Sequence, residues 1–186
     1  MEAFLVSTGL VALAEIGDKT MLLALCLAAR WRKPWPILAG ILVATLVNHG
    51  LSAGAGVLVA GLIAPETQKW LLGAAFLGFA VWALIPDKAD DDDCPPERDD
   101  ASVFWATTVA FFLAEMGDKT QIATVALGAQ FGALVWVTAG TTLGMMIANA
   151  PAVWLGRALA DRLPLKAIRL AAAAGFAATG AWVLLT

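Results

Sequence analysis

Charge is scarce in this chain. Only 15% of its 186 residues are Asp, Glu, Lys or Arg, while 60% are hydrophobic and the mean hydropathy is +0.79. Soluble domains carry about 25% charged residues, so a water-facing globule of this composition lacks the polar surface to cover itself. Tyrosine is absent and there is a single histidine, His49. Two cysteines, Cys26 in an apolar run and Cys94 in an acidic one, make neither a disulfide framework nor a CxxC site. No Ser/His/Asp or Cys/His grouping and no nucleotide loop is present, which argues against an enzyme, a resident cofactor or a nucleic-acid partner.

Long apolar runs take the place of charge. They cover residues 3–29, 36–63, 70–85, 103–129, 134–155 and 165–185. At roughly 20 apolar residues per spanning helix, the chain is expected to be an all-α polytopic membrane protein of six transmembrane helices. The first run is not a signal peptide by pattern: no positive charge precedes it, Glu15, Asp18 and Lys19 interrupt it, and no small-x-small cleavage site follows. Leu25 stands where a lipoprotein box ending at Cys26 needs a small residue.

The charges that remain are unevenly placed. Cytoplasmic loops are enriched in Lys and Arg. Alternate loops hold Arg30, Arg32, Lys33, Lys88, Arg98, Arg157, Arg162, Lys166 and Arg169, and the opposite side holds only Lys69. This predicts both termini outside and the acidic linker, with its Asp90–Asp93 run, in the cytoplasm as a solvated tether or a weak cation-attracting segment.

Sliding the sequence by 100 residues aligns Ala14–Thr20 (AEIGDKT) with Ala114–Thr120 (AEMGDKT). The same shift pairs Thr8 with Thr108, Gly40 with Gly140, Phe76 with Phe176 and Trp82 with Trp182. Residues 1–86 and 103–186 are therefore read as two three-helix repeats joined by an acidic cytoplasmic linker at 87–102. Three is odd, so the second repeat enters the membrane from the other side, and an inverted repeat of this kind places its substrate site near the midplane between the halves.

Glu15, Asp18 and Lys19 fall near the centre of the first run, and Glu115, Asp118 and Lys119 near the centre of the fourth. Six ionised groups at mid-membrane would cost about 15–20 kcal/mol if uncompensated, at roughly 2.5–3.5 kcal/mol each. On a continuous helix each triplet projects within one sector of about 100°. Two such faces meeting would gather four acids and two bases, a formal charge of −2 that matches one divalent cation. The competing reading is a purely structural salt bridge from each Glu to the Lys four residues on, which leaves the two aspartates unexplained.

The expected metal ligands are Glu15, Asp18, Glu115, Asp118, Gln121, Thr20, Thr120 and Asn48, with Lys19 and Lys119 balancing charge. Ser52 and Asn149 are nearby polar groups. Such oxygen donors suit Mn2+, Ca2+ or Mg2+ and not the Cys and His sites favoured by Zn2+. Gln121 follows Asp118 by three residues where the first copy has Met21, so the second half is expected to supply more polar ligands. His49 reads as a hydrogen-bonded helix contact. Gly17 and Gly117 permit either close helix approach or local unwinding, and the sequence leaves both open. Gly40, Gly54, Gly56, Gly73, Gly78, Gly140, Gly144 and Gly156 read as packing positions, and Trp31, Trp35, Trp70 and Trp105 as residues of the membrane interface.

The Glu-x-Gly-Asp-Lys-Thr signature, present twice in a six-run chain with an acidic central linker, resembles the GDT family of cation/proton exchangers (uncharacterised protein family 16). That resemblance implies a secondary transporter of Mn2+ or Ca2+ with the four motif acids as ion ligands, and a prokaryotic member in the inner membrane. Its expected partners are the divalent ion, protons and the lipid bilayer; homo-oligomerisation is left open. The mechanism it implies is alternating access, in which the carboxylates bind the ion on the cytoplasmic side, one repeat rocks against the other, and protons from outside displace it. A small-solute or amino-acid exporter holding a zwitterion, a passive cation channel and a non-transporting membrane subunit are the competing readings.

Overall fold

A computed structural model describes residues 1–85, 100–155 and 164–186, and every regular element among them is helical. In chain order these are α1 (Glu2–Glu15), α2 (Lys19–Trp31), α3 (Pro34–Ala60), α4 (Pro65–Ala83), α5 (Asp100–Glu115), α6 (Lys119–Phe131), α7 (Leu134–Leu155) and α8 (Leu165–Leu185). The acidic run of the linker, Cys94, Gly156, Arg157, Asp161 and Arg162 lie outside the described residues. Cys26, on α2, is disulfide-bonded, whereas the sequence pattern predicts no disulfide framework.

Two of the six expected continuous runs are each divided in two. The runs at 3–29 and 103–129 break at Ile16-Gly17-Asp18 and Met116-Gly117-Asp118, giving α1 and α2 in one case and α5 and α6 in the other. The third expected helix begins earlier than its apolar run, at Pro65, because proline is well suited to the first helical turn, where its missing N–H costs nothing. Helices α3 and α8 are long and apolar enough, by length and composition, to cross a membrane.

Burial is inverted relative to a water-soluble protein. Leu46, Val47 and Leu51 on α3, Val109 and Leu113 on α5, and Leu143 and Ile147 on α7 are exposed, whereas Glu15, Asp18, Asn48, Glu115, Asp118 and Asn149 are buried. Apolar faces of this extent are stable only against a nonpolar medium, which agrees with a membrane protein.

The helices pack across the two halves in matched contacts. Helix α1 lies along α7 and α3 lies along α5, while α4 and α8 pair with each other. A methyl group at Gly40 would sit 2.8 Å from the Phe104 carbonyl oxygen, and one at Gly140 would sit 2.6 Å from that of Phe4. Gly56, Gly73 and Gly144 are equally tight, as expected of small residues at lipid-embedded interfaces. Gly54 makes only ordinary contact and Gly78 faces open space. Trp35, Trp70 and Trp105 are exposed, but Trp31 is buried.

Candidate ion site

Both breaks are built the same way. Helix α1 ends at Glu15, Gly17 takes φ +85°, and Asp18 stands at the N-cap of α2; α5 ends at Glu115, Gly117 takes φ +79°, and Asp118 stands at the N-cap of α6. Only glycine adopts such a φ without penalty, and aspartate is among the best N-cap residues. Glu-x-Gly-Asp is thus a helix stop followed at once by a helix start. The Asp18 N–H donates to the Glu15 carbonyl at 3.0 Å, and the Asp118 N–H to that of Glu115 at 3.1 Å. Of the two options left open for the glycines, the structure adopts local unwinding, so each triplet is held by a turn and not by one helical sector.

The turns bring the motif residues of the two halves together. Glu15, Glu115 and Asp118 each present a carboxylate oxygen, all within 4.8 Å of one another, and all three residues are buried. Thr20 donates its hydroxyl to Glu15 Oε2 at 2.7 Å, and Thr120 donates to Glu115 Oε2 at 3.2 Å. Thr120 also lies 3.3 Å from Asp118 Oδ2. The second oxygen of each glutamate, Oε1, is buried without a hydrogen-bond partner.

The lysines cross between halves. Lys19 Nζ lies 3.0 Å from Asp118 Oδ1, and Lys119 pairs with Asp18. The competing reading, a salt bridge from each glutamate to the lysine four residues on, is not the pairing found among the described residues, where the lysines pair with the aspartates of the other half. The cluster holds four carboxylates and two ammonium groups, and α1 and α5 end there with their negative dipole ends. Oxygen ligands of Ca2+ lie about 2.3–2.6 Å from the metal, so three oxygens within 4.8 Å of one another are close enough to share one such ion.

Other expected site residues stand differently. Gln121 and Asn48 are hydrogen-bonded to each other, Gln121 Nε2 donating to Asn48 Oδ1. Ser52 donates to the Asn48 carbonyl oxygen at 2.8 Å, and Asn149 donates to that of Met145 at 3.0 Å. His49 is fully buried, and neither ring nitrogen has a hydrogen-bond partner among the described residues; the expected hydrogen-bonded contact is not formed. A residue not foreseen is Arg169, which with Leu13, Gly17, Asp18, Ile85 and Lys119 lines a small cavity beside the Asp18–Lys119 pair. In the sequence it counted only as a loop charge setting orientation.

The chain matches the model of a family described as divalent cation/proton antiporter GDT1 over residues 3–91 and 103–186. It belongs to the GDT1 family. Its relatives include the "Putative manganese exporter" of Vibrio cholerae, 54% identical over 170 residues that cover 91% of this chain and 84% of that one. A GDT1-like protein of Synechocystis sp. is 30% identical, covering 91% and 90% of the two chains. GDT1-like protein 5 of Arabidopsis thaliana is 27% identical, covering 100% and 96%. No solved structure matches the chain. The resemblance carried by the two motifs is thus borne out over both halves, and GDT1 proteins are transporters, not enzymes.

Proposed function

We infer that this GDT1 protein exports Mn2+, with Ca2+ as a second substrate, in exchange for protons. The observation that carries this reading is the convergence of Glu15, Glu115 and Asp118, buried and drawn from both halves, on one position. Bound metal is ligated by these acids and by Asp18, with Thr20, Thr120, Gln121 and Asn48 completing the polar surroundings and Lys19 and Lys119 limiting the net charge. The ion is cargo, and no resident cofactor takes part. The manganese assignment draws on the similarity to the "Putative manganese exporter" of Vibrio cholerae.

The chain crosses the inner membrane six times as two inverted three-helix repeats, with α1–α2 and α5–α6 as discontinuous spans. Both termini lie outside and the acidic linker lies in the cytoplasm. Discontinuous spans meeting at a midplane site are a recurring arrangement in secondary transporters. Ion and protons share the same carboxylates, so they occupy the site in turn: the ion binds from the cytoplasm, access alternates, and protons arriving from outside displace it. In proteoliposomes, Mn2+ supplied on one side is expected to drive proton movement to the other, and a pH gradient alone to drive Mn2+ uphill. Glu15→Gln and Asp118→Asn are each expected to abolish both, and unchanged transport in the two variants overturns the assignment.

A further inference from the structure

The two breaks differ in how they are held. Residues 21 and 121 occupy the same register, and each side chain folds back to accept the N–H of the glycine four residues earlier. The Gly17 N–H meets Met21 Sδ at 3.4 Å, and the Gly117 N–H meets Gln121 Oε1 at 2.6 Å. A thioether accepts and stops there; a carboxamide both accepts and donates. With its oxygen taken by Gly117, Gln121 turns its nitrogen to Asn48 Oδ1 on α3 of the other half. The register mate of Asn48 is Ala148, which offers no acceptor. Beyond the crossed ion pairs that both breaks share, the side chain at position 121 therefore ties its break to α3 of the opposite half, and the side chain at position 21 does not.

The tied break is also the one with the least packing over it. A methyl group at Gly17 would meet a Leu165 methyl at 2.6 Å, whereas one at Gly117 would meet nothing within 4 Å. Met116 beside it is 57% exposed. The Lys19 side chain on Asp118 is 35% exposed, against 10% for Lys119 on Asp18. Nonpolar cover holds the first turn in place, so the second turn needs another constraint.

We propose that Gln121 and Asn48 form a positioning pair that fixes the Gly117 turn, and through it Glu115 and Asp118, against α3. They act on the ion through those carboxylates and not as ligands. This rests on the transport reading above for its rate measurements, and on no transport at all for its structural one.

The sequence supplies the test variants, since Gln121→Met and Asn48→Ala install what the other repeat carries at the same register. Hydrogen exchange by mass spectrometry on the full chain in detergent reads the turn directly, without metal. Asn48→Ala and Gln121→Met are each expected to speed exchange in segment 115–121 about tenfold, the equivalent of one lost buried hydrogen bond, and to leave 15–21 as it was. Unchanged exchange at 115–121 overturns the proposal even if the variants transport poorly. In proteoliposomes, either change is expected to lower the maximal Mn2+/proton exchange rate about tenfold at an unaltered half-saturating Mn2+ concentration. The double variant is expected to be no slower than the worse single one, as for residues acting as a unit. Losses that multiply, or a half-saturating concentration that rises in step with the loss of rate, identify two separate ligands and overturn it. If wild-type protein moves no protons with Mn2+, the function assignment fails while the exchange result still decides the pair.

Discussion

Lys19 reaches out of its own half of the chain to place its ammonium 3.0 Å from Asp118 of the other half. The reverse pair, Lys119 with Asp18, is far more withdrawn, its side chains being 10% and 0% exposed. Charge compensation at the site is thus a property of the two halves together, and it is unequal on the two sides.

The inequality predicts different stability losses for equivalent substitutions. Lys119→Met takes a cation from a fully buried carboxylate and is expected to cost about 3–5 kcal/mol. Lys19→Met, at the more exposed of the two pairs, is expected to cost less. Thermal unfolding in detergent should show the larger drop for Lys119→Met; equal drops would contradict the asymmetry.

The glycine turns predict a second contrast. Alanine at either position carries the left-handed backbone penalty of about 1–2 kcal/mol. Gly17→Ala adds a clash with Leu165 that Gly117→Ala does not meet. Gly17→Ala is expected to be the less stable variant, and adding Leu165→Ala should bring it back to the level of Gly117→Ala. Failure of that second change to help would remove Leu165 from the account.

Proton competition at the carboxylates gives a pH dependence with a definite sign. In the proposed exchange the metal takes the ionised groups, so acidification supplies the competitor and binding releases protons. Mn2+ is expected to raise the melting temperature of the wild type, by less as the pH falls. Glu115→Gln should lose the metal effect while keeping the unliganded melting temperature near that of the wild type. A metal-induced shift that does not change with pH would contradict shared occupancy.

Thr20 offers a test of the carboxylate orientation. Its hydroxyl holds Glu15 at 2.7 Å, and both residues are fully buried. Thr20→Val keeps the shape and removes the donor, a change expected to cost about 1–3 kcal/mol and to weaken Mn2+ binding measured by titration calorimetry. Thr20→Ser should restore both.

Much of the site was legible as spacing. The 100-residue register pointed to motif acids of both halves, and of these Glu15, Glu115 and Asp118 each bring a carboxylate oxygen within 4.8 Å of the others. The break was legible in principle too: glycine before aspartate is a helix end beside a helix start. It was masked by the apolar residues on both sides, which read as one continuous span. Crossed lysines, the Gln121–Asn48 contact and the place of Arg169 in the cavity that Asp18 also lines were not legible, because each depends on how the helices pack and not on any pattern along the chain.

Reciprocal packing has a consequence for how the molecule comes apart. One hydrophobic cluster draws on Leu10, Phe76, Leu127 and Phe176, and the other on Leu25, Ile41, Phe111 and Met145, so each takes members from both halves. Neither half keeps an interior of its own. Severed at the linker, residues 1–85 would carry half of two cores and the wrong member of each ion pair, so assembly and unfolding are expected to be shared by the whole chain as a single cooperative event.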